Sequence, residues 1–160
     1  MKIFNSIFTT VLALMFSYNS TDITSHINPM DTQEPIRVEW ADLESIEYQM
    51  RYFKSYDVDM NTPVFDEKQK ALDGKRIIIT GFVIPLEENT ELLSLSANPY
   101  ASCFFCGNAS PASVMSLYMK DSGKRYMVDD FKTFTGTLRL NYDNPDEFIY
   151  YLENAEEVSD

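Results

Sequence analysis

Basic residues, histidine and cysteine are all scarce in this sequence. Its 160 residues include 13 Lys and Arg against 25 Asp and Glu, a net charge of −12, with one His and two Cys. Nucleic-acid affinity comes largely from basic groups that displace counterions around phosphates. This balance therefore argues against a nucleic-acid partner and against docking on an anionic membrane surface. No run of 18 or more apolar residues occurs, which excludes a conventional membrane-spanning helix. The G-x-S-x-G and H-E-x-x-H signatures, the P-loop and the Gly-rich dinucleotide fingerprint are absent. There is no internal repeat and no low-complexity tract. No ten-residue amphipathic helix separates successive strand patterns, so a βαβ architecture is not expected.

What remains has the makings of one globular domain. With 44% hydrophobic and 14% aromatic residues, a chain of this length can bury a substantial core without many covalent staples. Lys2 precedes a largely apolar stretch over residues 3–16, and Ser17-Tyr18-Asn19-Ser20 then turns polar. That order predicts a cleaved secretory signal over residues 1–20, and hence a periplasmic or secreted protein. Residues 21–36 are polar, carry two prolines and lack periodicity, as a flexible lead would. His26 falls within them, where solvation is its ordinary state. Residues 37–160 then form a single folded domain.

Within that domain the period is mostly two. A short helical turn at Trp40-Ala41-Asp42-Leu43 leads into a strand in which Ile46, Tyr48, Met50 and Tyr52 alternate with polar residues. Residues 63–72 read as a loop and short helix closed by the turn Asp73-Gly74. Residues 75–86 (KRIIITGFVIPL) carry the strongest strand pattern. Ile77, Ile79 and Val83 lie on one face and Ile78, Phe82 and Ile84 on the other, with Gly81 marking a bend and Pro85 the end. Further strands are expected at 91–95, 114–120 and 133–140, with a brief pairing at 126–128. In the strand at 133–140, Phe134, Leu138 and Leu140 would point inward and Gly136 outward. Asn144-Pro145-Asp146-Glu147 has the grammar of a helix start, followed by a final strand ending near Val158. These elements predict a mainly β fold. It would be a small, closed or partly open barrel of five or six strands, similar to the oligonucleotide/oligosaccharide-binding (OB) type, with one or two short helices.

Cys103-Phe104-Phe105-Cys106 is the sole chemical constellation. In an oxidising compartment the pair can close a small structural disulfide, a weak global staple because its ring restrains few residues. Metal binding is a second reading. Zinc would need about two further ligands beside Cys103 and Cys106; this chain offers only His26 and carboxylates, so a site would have to recruit acids, a partner chain or water. Thiol–disulfide exchange is a third, without the βαβ setting that usually lowers a thiol pKa. Reduced thiols with no such role are the fourth. Trp40, Tyr48, Tyr52, Phe53 and Tyr56 could line a pocket for an apolar or sugar-like ligand, but at this spacing they more often belong to a barrel core. The adjacent acids Glu87-Glu88 and Asp129-Asp130 suit solvated turns.

Four stretches carry a family resemblance. Ala71-Leu72-Asp73-Gly74-Lys75, Ile79-Thr80-Gly81-Phe82-Val83-Ile84-Pro85-Leu86, residues 95–107 with their CFFCG loop, and Phe134-Thr135-Gly136-Thr137-Leu138-Arg139-Leu140-Asn141 resemble a group of uncharacterised exported bacterial proteins. That group is similar to small OB-type barrels, and some related domains are associated with periplasmic transport. The resemblance implies a barrel and an exported address, and no activity. The combined expectation is an exported, non-enzymatic binding or accessory module for a protein or small ligand. Its Cys103/Cys106 loop would serve as a structural disulfide or a zinc site. The alternative is a periplasmic thiol–disulfide oxidoreductase using the same pair.

Overall fold

A ten-residue strand rich in β-branched residues at the centre of the sequence organises the rest of the domain. The computed structural model describes residues 34–86, 92–107 and 109–159. Among them the strands are β1 (Ile36–Arg37), β2 (Glu47–Phe53), β3 (Val58–Val64), β4 (Arg76–Pro85), β5 (Leu93–Ser96), β6 (Val114–Met119), β7 (Asp130–Leu140) and β8 (Tyr150–Glu157). Two short α-helices, α1 (Trp40–Glu44) and α2 (Glu67–Leu72), accompany them. No described helix is long and apolar enough to cross a membrane.

Strand β4 is long enough to serve two neighbours. Arg76 to Val83 pair antiparallel with β7, while Phe82 to Pro85 pair antiparallel with β5. The sheet runs β4–β5–β6–β8–β7 and returns to β4, closing a five-stranded barrel with one parallel pair, β6 with β8. This order is that of an OB-type barrel, as the strand pattern predicts, and closure leaves no barrel edge unpaired. β1 adds a sixth, parallel strand outside the ring at Ile77 and Ile78.

The period of two sorts β4 as expected. Ile77, Ile79 and Val83 are fully buried with Leu95, Met115, Phe134, Leu138 and Leu152. Gly81 shares their face by the same alternation, and only glycine fits there because the chains approach too closely for a side chain. A Cβ there would lie 2.6 Å from the Ser96 carbonyl oxygen. α1 and α2 join the barrel through polar contacts. The buried Gln69 amide donates to the Leu43 and Ser45 carbonyls, and the Tyr150 hydroxyl donates to Leu43 O at 2.8 Å. Asp66 and Gln69 cap α2 reciprocally.

Four local expectations are corrected. Pro63 lies inside β3, opposite Tyr48 in a separate two-stranded sheet, where a missing amide donor is tolerated on the unpaired side. Asn144 to Glu147 form a turn instead of a helix. The Asn141 side chain takes the amides of Asp143 and Asn144 and donates to the Asn144 and Phe148 carbonyls, which fixes the backbone away from helical bonding. Gly136 faces inward, where its Cβ would meet Glu153 O at 2.8 Å beside a register shift between Thr135 and Thr137. Residues 126–128 belong to no strand; Val128 and Asp129 turn the chain.

Candidate functional site

The connection from β5 to β6 is built from short 3-10 turns, Tyr100–Ser102, Phe104–Cys106 and Pro111–Ser113. Gly107 ends the middle turn with φ of 71°, a conformation that glycine adopts without a Cβ clash. Tyr100 N donates to Asp129 Oδ1 at 2.7 Å, and Asp130 accepts the amide of Met127, so this acid pair builds turns. Glu87 and Glu88 lie outside the described residues.

Cys103 is buried and Cys106 exposed, and both are free thiols. They nonetheless converge, each donating to the carbonyl oxygen of Tyr100, at 3.0 Å from Cys103 Sγ and 3.1 Å from Cys106 Sγ. The two sulfurs therefore face one point in space. Among the described residues no group of three His, Cys, Asp or Glu side chains could hold a metal ion. His26 lies outside those residues.

The same turn projects its aromatic residues toward a neighbouring cleft. Phe104 and Phe105 meet the Phe148 ring at centroid distances of 6.4 and 5.7 Å, near perpendicular in both cases. Phe104 and Phe148 are walls of a cleft of about 460 Å³, with Tyr48, Phe53 and Met60 from the β2–β3 hairpin opposite. Asp143, Asp146 and Glu147 from the segment between β7 and β8 supply its acidic rim. Two contacts join hairpin to rim. Arg51 pairs with Asp143 at 2.6 Å, and the Tyr56 hydroxyl donates to Asp146. The Arg51 guanidinium also lies over the Phe53 ring.

Electrostatics keep the phenols of this region neutral. Burial pushes the Tyr48 and Tyr142 hydroxyls above the ordinary tyrosine value. The hydrogen bond to Asp146 does the same for Tyr56, and burial followed by the Glu147 carboxylate does it for Tyr118. At neutral pH these groups are hydrogen-bond donors, not bases.

The aromatic set singled out in the sequence divides accordingly. Trp40 alone packs against the barrel core, with its indole N–H donating to Thr80 O at 2.9 Å. Tyr48, Tyr52 and Tyr56 are 39%, 56% and 46% exposed, so the core assignment fails for them. Tyr48 and Phe53 line the cleft instead, because β2 belongs to the hairpin and not to the barrel. Sequence reasoning missed Met60, Tyr142 and Phe148 as lining residues. The nearest signal was an aromatic residue on either side of the polar run Asp143-Asn144-Pro145-Asp146-Glu147.

Fold and site together define a small OB-type barrel carrying an aromatic cleft with an acidic rim. No family model matches the chain, and no curated protein matches it. Among solved structures, it is similar to the crystal structure of a DUF3299 family protein from Pseudomonas aeruginosa PAO1. The two share 14% sequence identity with a TM-score of 0.46, over 79% of this chain and 98% of that one.

Proposed function

We propose that the protein is an exported, non-enzymatic binding or accessory module whose ligand occupies the cleft between the β2–β3 hairpin, Phe104 and residues 141–149. The single observation that carries this reading is the chemistry of the lining. Aromatic and apolar side chains (Tyr48, Phe53, Met60, Phe104 and Phe148) form the walls, with carboxylates on one rim. Small-ligand and peptide sites are concave and mostly apolar, with a few polar groups that fix orientation. Among the described lining residues there is no Cys, His, Ser, Lys or Arg, and the rim carboxylates Asp143 and Asp146 are engaged by Arg51 and the Tyr56 hydroxyl. The matching ligand has an apolar body and a cationic or hydrogen-bond-donating end, such as a hydrophobic segment of a basic peptide. The cysteine turn serves the site by holding Phe104 in its wall.

Isothermal titration with a short peptide of alternating leucine and lysine tests this reading, with a leucine–glutamate peptide as control. The basic peptide should bind one per chain, and binding should weaken with salt. Phe104→Ala or Phe148→Ala should lower affinity at least about tenfold, as truncating an aromatic anchor does. Equal binding of both peptides, or binding indifferent to both substitutions, would count against the cleft.

A further inference from the structure

We propose that Cys103 and Cys106, as thiolates, form a two-coordinate site for a thiophilic, closed-shell monovalent cation, with copper(I) as its physiological member. Three observations lead there. The sulfurs are presented at one point, since both thiols aim at Tyr100 O. The backbone that presents them is already ordered. Cys103 N donates to Tyr100 O, Cys106 N to Cys103 O and Gly107 N to Phe104 O, so a cation meets a preformed turn. Finally, the described residues bring no third His, Cys, Asp or Glu to the pair. Zinc is held almost always by four ligands, and calcium or magnesium by six or more oxygens. Soft thiolates select copper(I), and two of them satisfy it in a near-linear arrangement.

The surroundings fit a soft cation better than a hard one. Cys103 is fully buried, and the rings of Phe104, Phe105 and Phe148 cluster beside the turn, giving an apolar flank that does not compete for the metal. Cys106 is exposed, so the cation enters over its sulfur and is then taken up by Cys103. Binding breaks two S–H bonds, forms two S–Cu bonds and releases two protons to solvent. No electron changes hands, and the bis-thiolate product carries one negative charge. Tyr100 O loses two thiol donors but keeps the Cys103 amide, so no buried acceptor is orphaned.

The site is separate from the cleft reading, since neither cysteine lines the cleft and only the Phe104 and Phe148 rings are common to both. Full-length protein, reduced and handled without oxygen, should withdraw one copper(I) per chain from the coloured bicinchoninate complex. Silver(I) should displace that copper, and zinc(II) at equal concentration should not. Loss of a thiolate bound to the metal exceeds the roughly 10–100-fold effect of altering a group that only hydrogen-bonds a ligand, so Cys106→Ser and Cys103→Ser should each weaken binding at least about 100-fold. Because Cys103 is buried and its variant could fail to fold, two further samples keep the outcome decisive. These are Cys106→Ser, checked for native circular dichroism, and wild type oxidised with diamide to the disulfide. Both should leave bicinchoninate undisturbed. Failure of the reduced wild type to withdraw copper, or withdrawal by either control sample, overturns the proposal. So does zinc outcompeting copper, or a native disulfide that resists reductant in the folded state.

Discussion

A methyl group added at Gly81 would press on the Ser96 carbonyl and on Leu95 Cγ, and one at Gly136 on Glu153 O and Leu152 Cγ, all within 3.0 Å. Neither glycine has a positive φ, so the demand is for space between paired strands and not for a special backbone conformation. Gly81→Ala and Gly136→Ala should each destabilise the barrel by about 1–3 kcal/mol, the range for overpacking a closed core. Urea denaturation with an unchanged slope would show it, and a loss under about 0.5 kcal/mol, the scale of surface substitutions, would mean the strands can part cheaply. A milder test lies at Tyr150. Removing its hydroxyl as Tyr150→Phe leaves Leu43 O with the Gln69 amide at 3.4 Å, and should lower stability by about 1 kcal/mol. The role of Gly81 was legible because it interrupts a run of large strand-forming residues. That of Gly136 was not. It sits between threonines and has no side chain to mark its face, although its spacing of two from Phe134 and from Leu138 puts it on their inward side, opposite Ile77 of β4.

At the scale of elements, the β2–β3 hairpin is the one described sheet outside the barrel, and two-stranded sheets are marginal alone. Its attachment to the cleft rim rests on Arg51–Asp143 and Tyr56–Asp146, both at the surface. Exposed pairs contribute at most about 1 kcal/mol each, so the double variant Arg51→Ala/Tyr56→Phe should barely move the melting temperature. It should instead speed amide exchange over residues 58–64 relative to β7, since opening of the hairpin precedes global unfolding. Equal protection in the variant would show that the hairpin is held by its apolar contacts alone. The sequence concealed β3 for a physical reason. Val58, Met60, Thr62 and Val64 do alternate with Asp59, Asn61 and Pro63, but the intervening residues are among the poorest strand formers. Pairing with β2, not propensity, sets that segment.

For the molecule as a whole, the end of β8 gathers charge from several strands. Glu156 meets Lys120 at 2.9 Å and Arg76 at 3.2 Å, while Glu157 meets Lys124, Tyr126 and Lys132. The Lys120 ammonium holds Glu156 below the ordinary carboxylate value with help from Arg76. Lys124 does the same for Glu157, with Tyr126 and Lys132. A carboxylate whose native pKa is depressed stabilises the fold at pH values above its unfolded pKa. That contribution is lost as pH falls through the native pKa. Stability should therefore hold near neutrality and decline below about pH 4.3, the ordinary glutamate value. Melting temperatures measured against pH should show a shallower acid decline for Glu157→Gln than for wild type. Identical slopes would place the acid sensitivity elsewhere.

Local order in this chain followed from local sequence. The β4 run, the Asp73-Gly74 turn, the helical turn before β2 and the alternation in β6 and β7 each carry their own period and punctuation, so a barrel was readable before any strand was paired. The CFFC turn was readable as a bend with two nearby sulfurs for the same reason. The cleft was not. Its walls come from residues 48–63, 104 and 141–149, which share no periodic pattern. They meet only because ring closure sets the cysteine turn and the β7–β8 connection against a hairpin that pairs outside the barrel. Patterns within one segment register local energetics, whereas a cavity depends on the distances between segments, and those are fixed only when the strands pair and the core closes.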